Sequence, residues 1–207
     1  MRYLCNLLIP LLFISLATAS PLRARSILTA STIESIAPST ASCASAAFPS
    51  ECRTAPAAAR WISRSFMAYG ITSRAEQAAL LALMLYESSD FQHSRNHWPG
   101  VPGQGTRNMQ SPAFTARYAA SLAGPAAVRA AQASGGPAAV LELVNGDADG
   151  FASAAWFPST QCPAAVRSRL RAGTLAGWQA YLTGCVGAPA TEERTAVWGR
   201  AMQVMAA

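Results

Sequence analysis

The strongest hydrophobic segment of the chain is the run from Ala78 to Tyr86, in which every side chain is apolar or aromatic. A helix that is apolar on all sides belongs at the centre of a domain. Ser73 and Glu76 precede the run at the spacing of a capping box, in which the two side chains satisfy free N–H groups of the first turn. The pattern therefore predicts a buried central helix from Arg74 to about Ser88.

Apolar residues recur at helical spacing through most of the remaining chain, and proline stands at or near the start of several of these segments. Residues 89–112 differ, because glycine and proline interrupt any helical pattern there. We predict a mainly α domain with a short β-hairpin or ordered loop after the central helix. The other predicted helices cover residues 57–69, 112–123, 125–134, 137–144, 150–157, 163–171, 175–182 and 191–205.

The N-terminal part of the chain has a different composition. Residues 1–19 combine an early arginine, an apolar run and a small-x-small site, which is the pattern of a signal peptide. Residues 20–42 are rich in Ser, Thr and Ala and contain no aromatic side chain, so we expect a flexible leader. The domain would then comprise residues 43–207, in a secreted, extracellular protein.

Four cysteines would remain after removal of the signal peptide, an even number that suits an oxidising compartment. They allow three patterns of two disulfides. We favour Cys43–Cys52 and Cys162–Cys185, because each of these bonds closes a short local loop.

The net charge of the chain excludes few classes of binding partner. Its 16 basic residues are all Arg, and loss of one with residues 1–19 leaves 15 − 10 = +5. Such a field favours neutral or anionic partners over cationic ones. The basic run of residues 167–171 lacks interleaved aromatics, which indicates a solvated helix face rather than a nucleic-acid site. We expect a monomer that binds no nucleic acid and no membrane.

Glu87 is the residue whose position most suggests chemistry. It ends the predicted central helix on the face that carries Leu83 and Met84. Apolar surroundings and the negative end of the helix dipole both disfavour a charged carboxylate. A carboxylic acid that keeps its proton can protonate a leaving oxygen, as glycoside cleavage requires. The alternative is a glutamate that extends into solvent at a helix end and has no chemical role.

Short motifs around and after Glu87 resemble the lysozyme-like superfamily. In its lytic transglycosylase and goose-type lysozyme branches, a helix ends in Glu-Ser near an aromatic residue, and a glycine-containing turn that ends in Met-Gln follows. Plant-type chitinases carry an interior Ala-Trp-Phe helix. Residues 102–110 also resemble a group of small secreted fungal lysozyme-like proteins. The matching positions here are Glu87, Ser88, Phe91, Gly103, Gly105, Met109, Gln110 and residues 155–157.

This resemblance implies a lysozyme-like helical domain that acts as a glycoside hydrolase or lytic transglycosylase on a β-1,4-linked cell-wall polysaccharide. Glu87 would be the general acid, and Asp90 is the candidate for a second catalytic carboxylate. Asp90 could equally cap the helix or pair with Arg95, in which case the sugar itself could supply the nucleophile. The residues expected to bind the polysaccharide are Trp98, Gln104, Thr106, Asn108 and Gln110.

A second class of function stays open at this point. Arg107 and Asn108 place a charge and an amide where the family pattern is apolar. The alternative is a non-catalytic secreted glycan-binding protein or effector on the same frame, because fold does not imply function. For the enzyme, we expect Glu87→Gln to keep binding, to lower cleavage by about 100- to 10,000-fold or more, and to leave the fold as stable as before or more so near neutral pH.

The sequence favours neither a metal nor an organic cofactor. His93 and His97 have a spacing seen in metal sites, but the segment offers no clear third ligand. Gly103 and Gly105 imitate part of a dinucleotide fingerprint, but no strand precedes them and the last glycine is missing. We therefore expect no metal site and no cofactor.

Overall fold

A computed structural model describes residues 28–206. This part of the chain is mainly helical. Its α-helices are α1 (Ala30–Ile36), α2 (Ala55–Ala68), α3 (Arg74–Glu87), α4 (Pro112–Glu142), α5 (Asp147–Thr160), α6 (Ala164–Arg171), α7 (Leu175–Tyr181) and α8 (Glu192–Met205). A 3₁₀ turn covers Pro38–Ala41, and a π-helical turn over Leu182–Val186 continues α7.

The predicted central helix is α3, and its residues from Ala78 to Leu85 are buried. Helices α5, α6 and α8 pack against it. The Ser73 hydroxyl accepts a hydrogen bond from the Glu76 N–H, as the capping box requires. The prediction that the Glu76 side chain also caps the first turn is wrong. The buried Glu76 carboxylate accepts hydrogen bonds from Arg167 and Arg171 of α6 instead.

Helix α4 consists of three helical segments, and the predicted interruptions are confirmed. Gly124 has φ 84° and Gly136 has φ 66°, backbone conformations that glycine adopts at little cost. Pro125 and Pro137 follow them and restart the helix with a fixed φ.

Between α3 and α4 the chain forms an ordered loop. Within the described residues it makes only isolated bridges, from Gly105 to Arg95 and to Gln110, so the β-hairpin alternative is wrong. The physical reason lies at its start, where the three residues from Ser89 to Phe91 have positive φ. A strand needs extended backbone, and these residues turn the chain back onto the end of α3.

The prediction of a flexible leader over residues 20–42 is corrected for the part that forms α1. Ile33 and Ile36 of α1 are buried in the main core, and Arg200 of α8 donates a hydrogen bond to the Ile36 carbonyl. These two apolar side chains anchor the segment in the core, although residues 20–42 as a whole contain too few apolar side chains to predict a folded segment. The folded domain therefore begins before residue 43. The expected signal peptide lies outside the described residues.

Both predicted disulfides are confirmed. Cys43 bonds to Cys52 ahead of α2, and Cys162 bonds to Cys185 across α6 and α7. Within residues 28–206, none of the helices combines the length and the apolar character that a membrane span requires.

Candidate functional site

A cavity of about 280 Å³ lies where the end of α3 meets the loop before α4. Helix α8 and the segment after the π-helical turn close its far side. Part of its wall is apolar, and Phe114 and Phe157 meet there edge to face with ring centroids 4.8 Å apart. The cavity is lined by Leu83, Glu87, Gln104, Asn108, Met109, Gln110, Ser111, Phe114, Phe157, Val186, Gly187, Ala188 and Arg194.

Glu87 lies in this cavity but is not an isolated acid. Arg194 donates to its Oε1 from Nη2 at 2.9 Å and from Nε at 3.1 Å. The Arg194 guanidinium also lies over the Tyr86 ring, 4.5 Å from its centroid. Glu87 is the only acid among the described lining residues. Among the residues that the structure describes, the cavity therefore offers one ion pair and no pair of opposed carboxylates.

A buried polar cluster lies behind one wall of the cavity. The Ser153 hydroxyl of α5 lies 2.6 Å from Asn108 Oδ1 and 2.9 Å from Thr106 Oγ1. Thr106 Oγ1 also lies 2.9 Å from Asn108 Oδ1. These contacts fix Asn108, whose side chain belongs to both the cluster and the cavity wall.

Among the described residues of this wall, Gln110 has a buried side-chain oxygen without a hydrogen-bond partner. Its Nε2 lies 3.4 Å from Asn108 Oδ1, whereas its Oε1 is buried and has no hydrogen-bond partner within the described residues. A buried acceptor without a donor costs about 1–3 kcal/mol. Because Gln110 lines the cavity, a rotation of its amide would let a bound molecule or water donate to Oε1 and remove that cost.

The structure brings together four of the seven predicted catalytic and binding residues, namely Glu87, Gln104, Asn108 and Gln110. Thr106 is fully buried behind the wall rather than exposed on it. The two others, Asp90 and Trp98, lie elsewhere.

Asp90 and Trp98 do not line the cavity. Asp90 accepts a hydrogen bond from the Ser39 hydroxyl, and Arg95 pairs with Glu142 rather than with Asp90. Trp98 is 69% exposed and packs its ring edge against His93, with ring centroids 5.4 Å apart. The positive-φ turn at Ser89–Phe91 directs this part of the chain away from the cavity.

A second polar cluster, which we call the histidine cluster, comprises Glu51, His93 and His97. Their nitrogen and carboxylate oxygen atoms lie within 4.8 Å of one another. Glu51 Oε1 lies 3.0 Å from His97 Nε2, and Phe48 stacks on the His97 ring at a centroid distance of 3.6 Å. Burial lowers the pKa of His93, and nearby His97 adds to that effect. The sequence missed Glu51, which lies 42 residues before His93, and its only local sign is the neighbouring half-cystine.

Arg107 connects the two segments that carry the histidine cluster. Arg107 is 2% exposed, and its guanidinium donates from Nη2 to the Glu51 carbonyl and from Nη1 to the His93 and Phe91 carbonyls. Burial lowers its pKa to about 10. In the family pattern this position is apolar. In the structure the Arg107 side chain bonds main-chain carbonyls inside the protein.

Comparison with known proteins gives one informative relative. No family model and no solved structure matches the chain. The chain is 39% identical over 153 residues to a protein of Fusarium oxysporum (strain Fo5176) named bifunctional dioxygenase (DOX)-epoxy alcohol synthase (EAS). The match covers 66% of this chain, and the chain spans only 12% of the relative's length.

This relative overturns the glycosidase prediction. Its name describes oxygenation and epoxy alcohol formation, not cleavage of a cell-wall polysaccharide. The predicted lysozyme-like family, the hydrolase or lytic transglycosylase activity and the place in carbohydrate metabolism are therefore wrong, and the glycan-binding alternative has no support either. The physical reason is that the resemblance rested on short motifs, and residues 103–110 fold here into a wall whose side chains largely bond to one another.

Proposed function

We propose that the chain is a binding domain for a small oxygenated organic molecule, of the class of alcohols and epoxy alcohols, and that the cavity beside Glu87 holds it. The observation that carries this proposal is the buried Oε1 of Gln110, which has no donor within the described residues. A ligand hydroxyl is the simplest group that would donate to it, once the amide of Gln110 turns toward the cavity.

The cavity wall suits a molecule that is partly apolar and partly oxygenated. Leu83, Phe114, Phe157 and Val186 provide hydrophobic surface, while amides and one ion pair provide polar groups. Small-molecule sites combine apolar surface with placed polar groups, and in this wall the polar groups make up the larger share.

The ion pair also retains hydrogen-bonding capacity. A guanidinium has five N–H donors, and the Arg194 side chain uses three of them in hydrogen bonds, two to Glu87 and one to the Pro189 carbonyl. An ether or epoxide oxygen could accept one of the remaining donors. Gln110 and Arg194 would then bind the two oxygens of one ligand.

The relative supports the ligand class but not a whole reaction. Its printed name joins a dioxygenase with an epoxy alcohol synthase. This chain spans 12% of the relative's length, and what we propose for it is the binding of a compound of that chemistry. We also propose that the protein is secreted, which its two disulfides support.

Calorimetric titration of the full chain with a medium-chain alcohol and with the methyl ether of the same alcohol tests the proposal. The two probes have nearly the same shape, but only the alcohol can donate to Gln110. We expect the alcohol to bind about two- to tenfold more tightly, the range that one hydrogen bond of about 0.5–1.5 kcal/mol gives. Equal affinity for both probes, or no binding of either, would contradict it.

The matched variants are Gln110→Met and Gln179→Met. Both replace an amide by a thioether of similar size, but Gln179 is exposed on α7. Gln110→Met should remove the preference for the alcohol and keep the binding of the ether. Gln179→Met should behave as the parent protein.

A further inference from the structure

We propose that Glu51, His93 and His97 form a binding site for one divalent first-row transition-metal ion. The three side chains offer two imidazole nitrogens and one carboxylate oxygen, within 4.8 Å of one another. The histidine cluster lies apart from the cavity beside Glu87, and none of its residues lines that cavity.

The spacing of these atoms is close to that of a coordination shell. Ligands at about 2.0–2.2 Å from one ion lie roughly 3–3.5 Å from each other. The distance of 3.0 Å between Glu51 Oε1 and His97 Nε2 already falls in this range. The third ligand atom would need to move by about an ångström, which side-chain rotation can provide.

Groups outside the cluster hold these ligands in place. The Ser94 N–H donates to Glu51 Oε2 at 2.7 Å, and the Ser94 hydroxyl accepts a hydrogen bond from Asn145. Arg107 bonds the main-chain carbonyls of Glu51 and of His93 with one guanidinium. Partners of this kind orient ligand side chains in metal sites.

One ligand is also left without a partner. His93 Nδ1 is buried and makes no hydrogen bond within the described residues. The charges around the cluster do not oppose a cation, because Glu51 and Glu142 formally balance Arg95 and Arg107. An ion bound through Nδ1 would supply the missing partner of His93. It would leave the site with a positive charge that a bound anion or a ligand oxygen could share.

The ligand set indicates the class of metal. Imidazole suits zinc, iron, copper and nickel, whereas magnesium and calcium prefer sets of oxygen ligands. Two histidines and one carboxylate leave further coordination positions open, as in metal sites that bind water or a substrate. The rings of Phe48 and Trp98 flank the histidines and would shield one side of the ion.

Titration with Zn²⁺, monitored by NMR of the imidazole groups, tests the site directly. The chain contains only two histidines, so a protein prepared without a polyhistidine tag gives signals from His93 and His97 alone. We expect both sets of imidazole signals to shift together and to saturate at one Zn²⁺ per chain. A shift of neither, or of only one, would overturn the proposal.

Variants separate coordination from simple attraction of a cation. Glu51→Gln and His93→Gln should each weaken Zn²⁺ binding by at least about 100-fold, above the 10- to 100-fold cost of changing an outer partner. The control is Glu142→Gln, which removes a nearby carboxylate that is not a ligand and should change the affinity by less than about threefold. Equal losses in Glu51→Gln and Glu142→Gln would contradict coordination. If one ligand variant does not fold, the other and the parent titration still decide the outcome.

Discussion

Arg194 and Glu87 are 107 residues apart in sequence, yet both Nε and Nη2 of the arginine donate to one oxygen of the glutamate. The pair joins the C-terminal residue of α3 to the first turn of α8. Both side chains are mostly buried, with 15% and 18% of their surface exposed. Glu87 is therefore part of the packing between two helices as well as of the cavity wall.

This ion pair predicts that Glu87→Gln destabilises the fold, which reverses the expectation from sequence. The variant keeps an acceptor but loses the charge that Arg194 faces. Hydrogen bonds to charged groups contribute about 1.5–3 kcal/mol, so we expect a loss of about 1–2 kcal/mol in the free energy of unfolding. A double-mutant cycle with Arg194→Met, measured by urea denaturation, checks it. A coupling energy near zero would mean that the pair contributes nothing.

Glu76 carries the second prediction, because its side chain is fully buried beside two arginines of α6. Arg167 donates to one of its oxygens at 2.5 Å and Arg171 to the other at 3.1 Å. Arg167→Met should cost about 2–3 kcal/mol, since it leaves a buried carboxylate with only one partner. Arg169→Met on the same helix is the control and should cost less than about 0.5 kcal/mol, because Arg169 is exposed. Equal destabilisation in the two variants would contradict a stabilising role of the pair between Arg167 and Glu76.

Most of the helical framework could be predicted because its signals are local. Apolar spacing gave α2, α3 and α8 to within two residues, and the Gly-Pro steps at 124–125 and 136–137 gave the breaks in α4. The disulfides follow the same principle, since each closes a short loop. What failed in the framework depends on tertiary packing, as with α1, whose two buried isoleucines have a partner only in the folded core.

The functional residues were harder to predict, because distant segments create them. Arg107 bonds the carbonyls of both Glu51 and His93 in the folded chain, and nothing in the local sequence indicates that these two residues lie close together. Residues 103–110 form a recognisable motif in the sequence, but the sequence does not show which side chains surround them in the fold. Their match to a glycosidase pattern was therefore misleading, although Gln104, Asn108 and Gln110 do line a cavity.

The loop before α4 gives the third prediction, through the tight space around Gly105. A Cβ atom there would lie 2.6 Å from the Ser94 carbonyl oxygen and 2.6 Å from Leu141 Cδ2. Gly105→Ala should cost about 1–3 kcal/mol and should disturb the paired hydrogen bonds to Gln110. Gly199→Ala is the control, because its Cβ meets nothing within 4 Å and it lies inside α8. That variant should stabilise the protein by about 0.5–1 kcal/mol, so opposite signs in thermal denaturation are expected.

Arg95 and Glu142 provide the last prediction, which concerns pH. The hydrogen bonds from Arg95 lower the pKa of Glu142 from its usual 4.5. A carboxyl whose pKa is lower in the folded state stabilises the fold above its unfolded pKa, and this contribution is lost as pH falls through the folded pKa. Both side chains are more than a third exposed, at 37% and 55%, so screening limits the effect to about 1 kcal/mol or less. Glu142→Gln should therefore melt at a slightly lower temperature than the parent at neutral pH and low salt, with the gap closing below about pH 4.5.

Added salt should narrow the gap at neutral pH, because it screens exposed charges. A gap that persists unchanged in acid would show that Glu142 stabilises the loop through packing rather than through its charge.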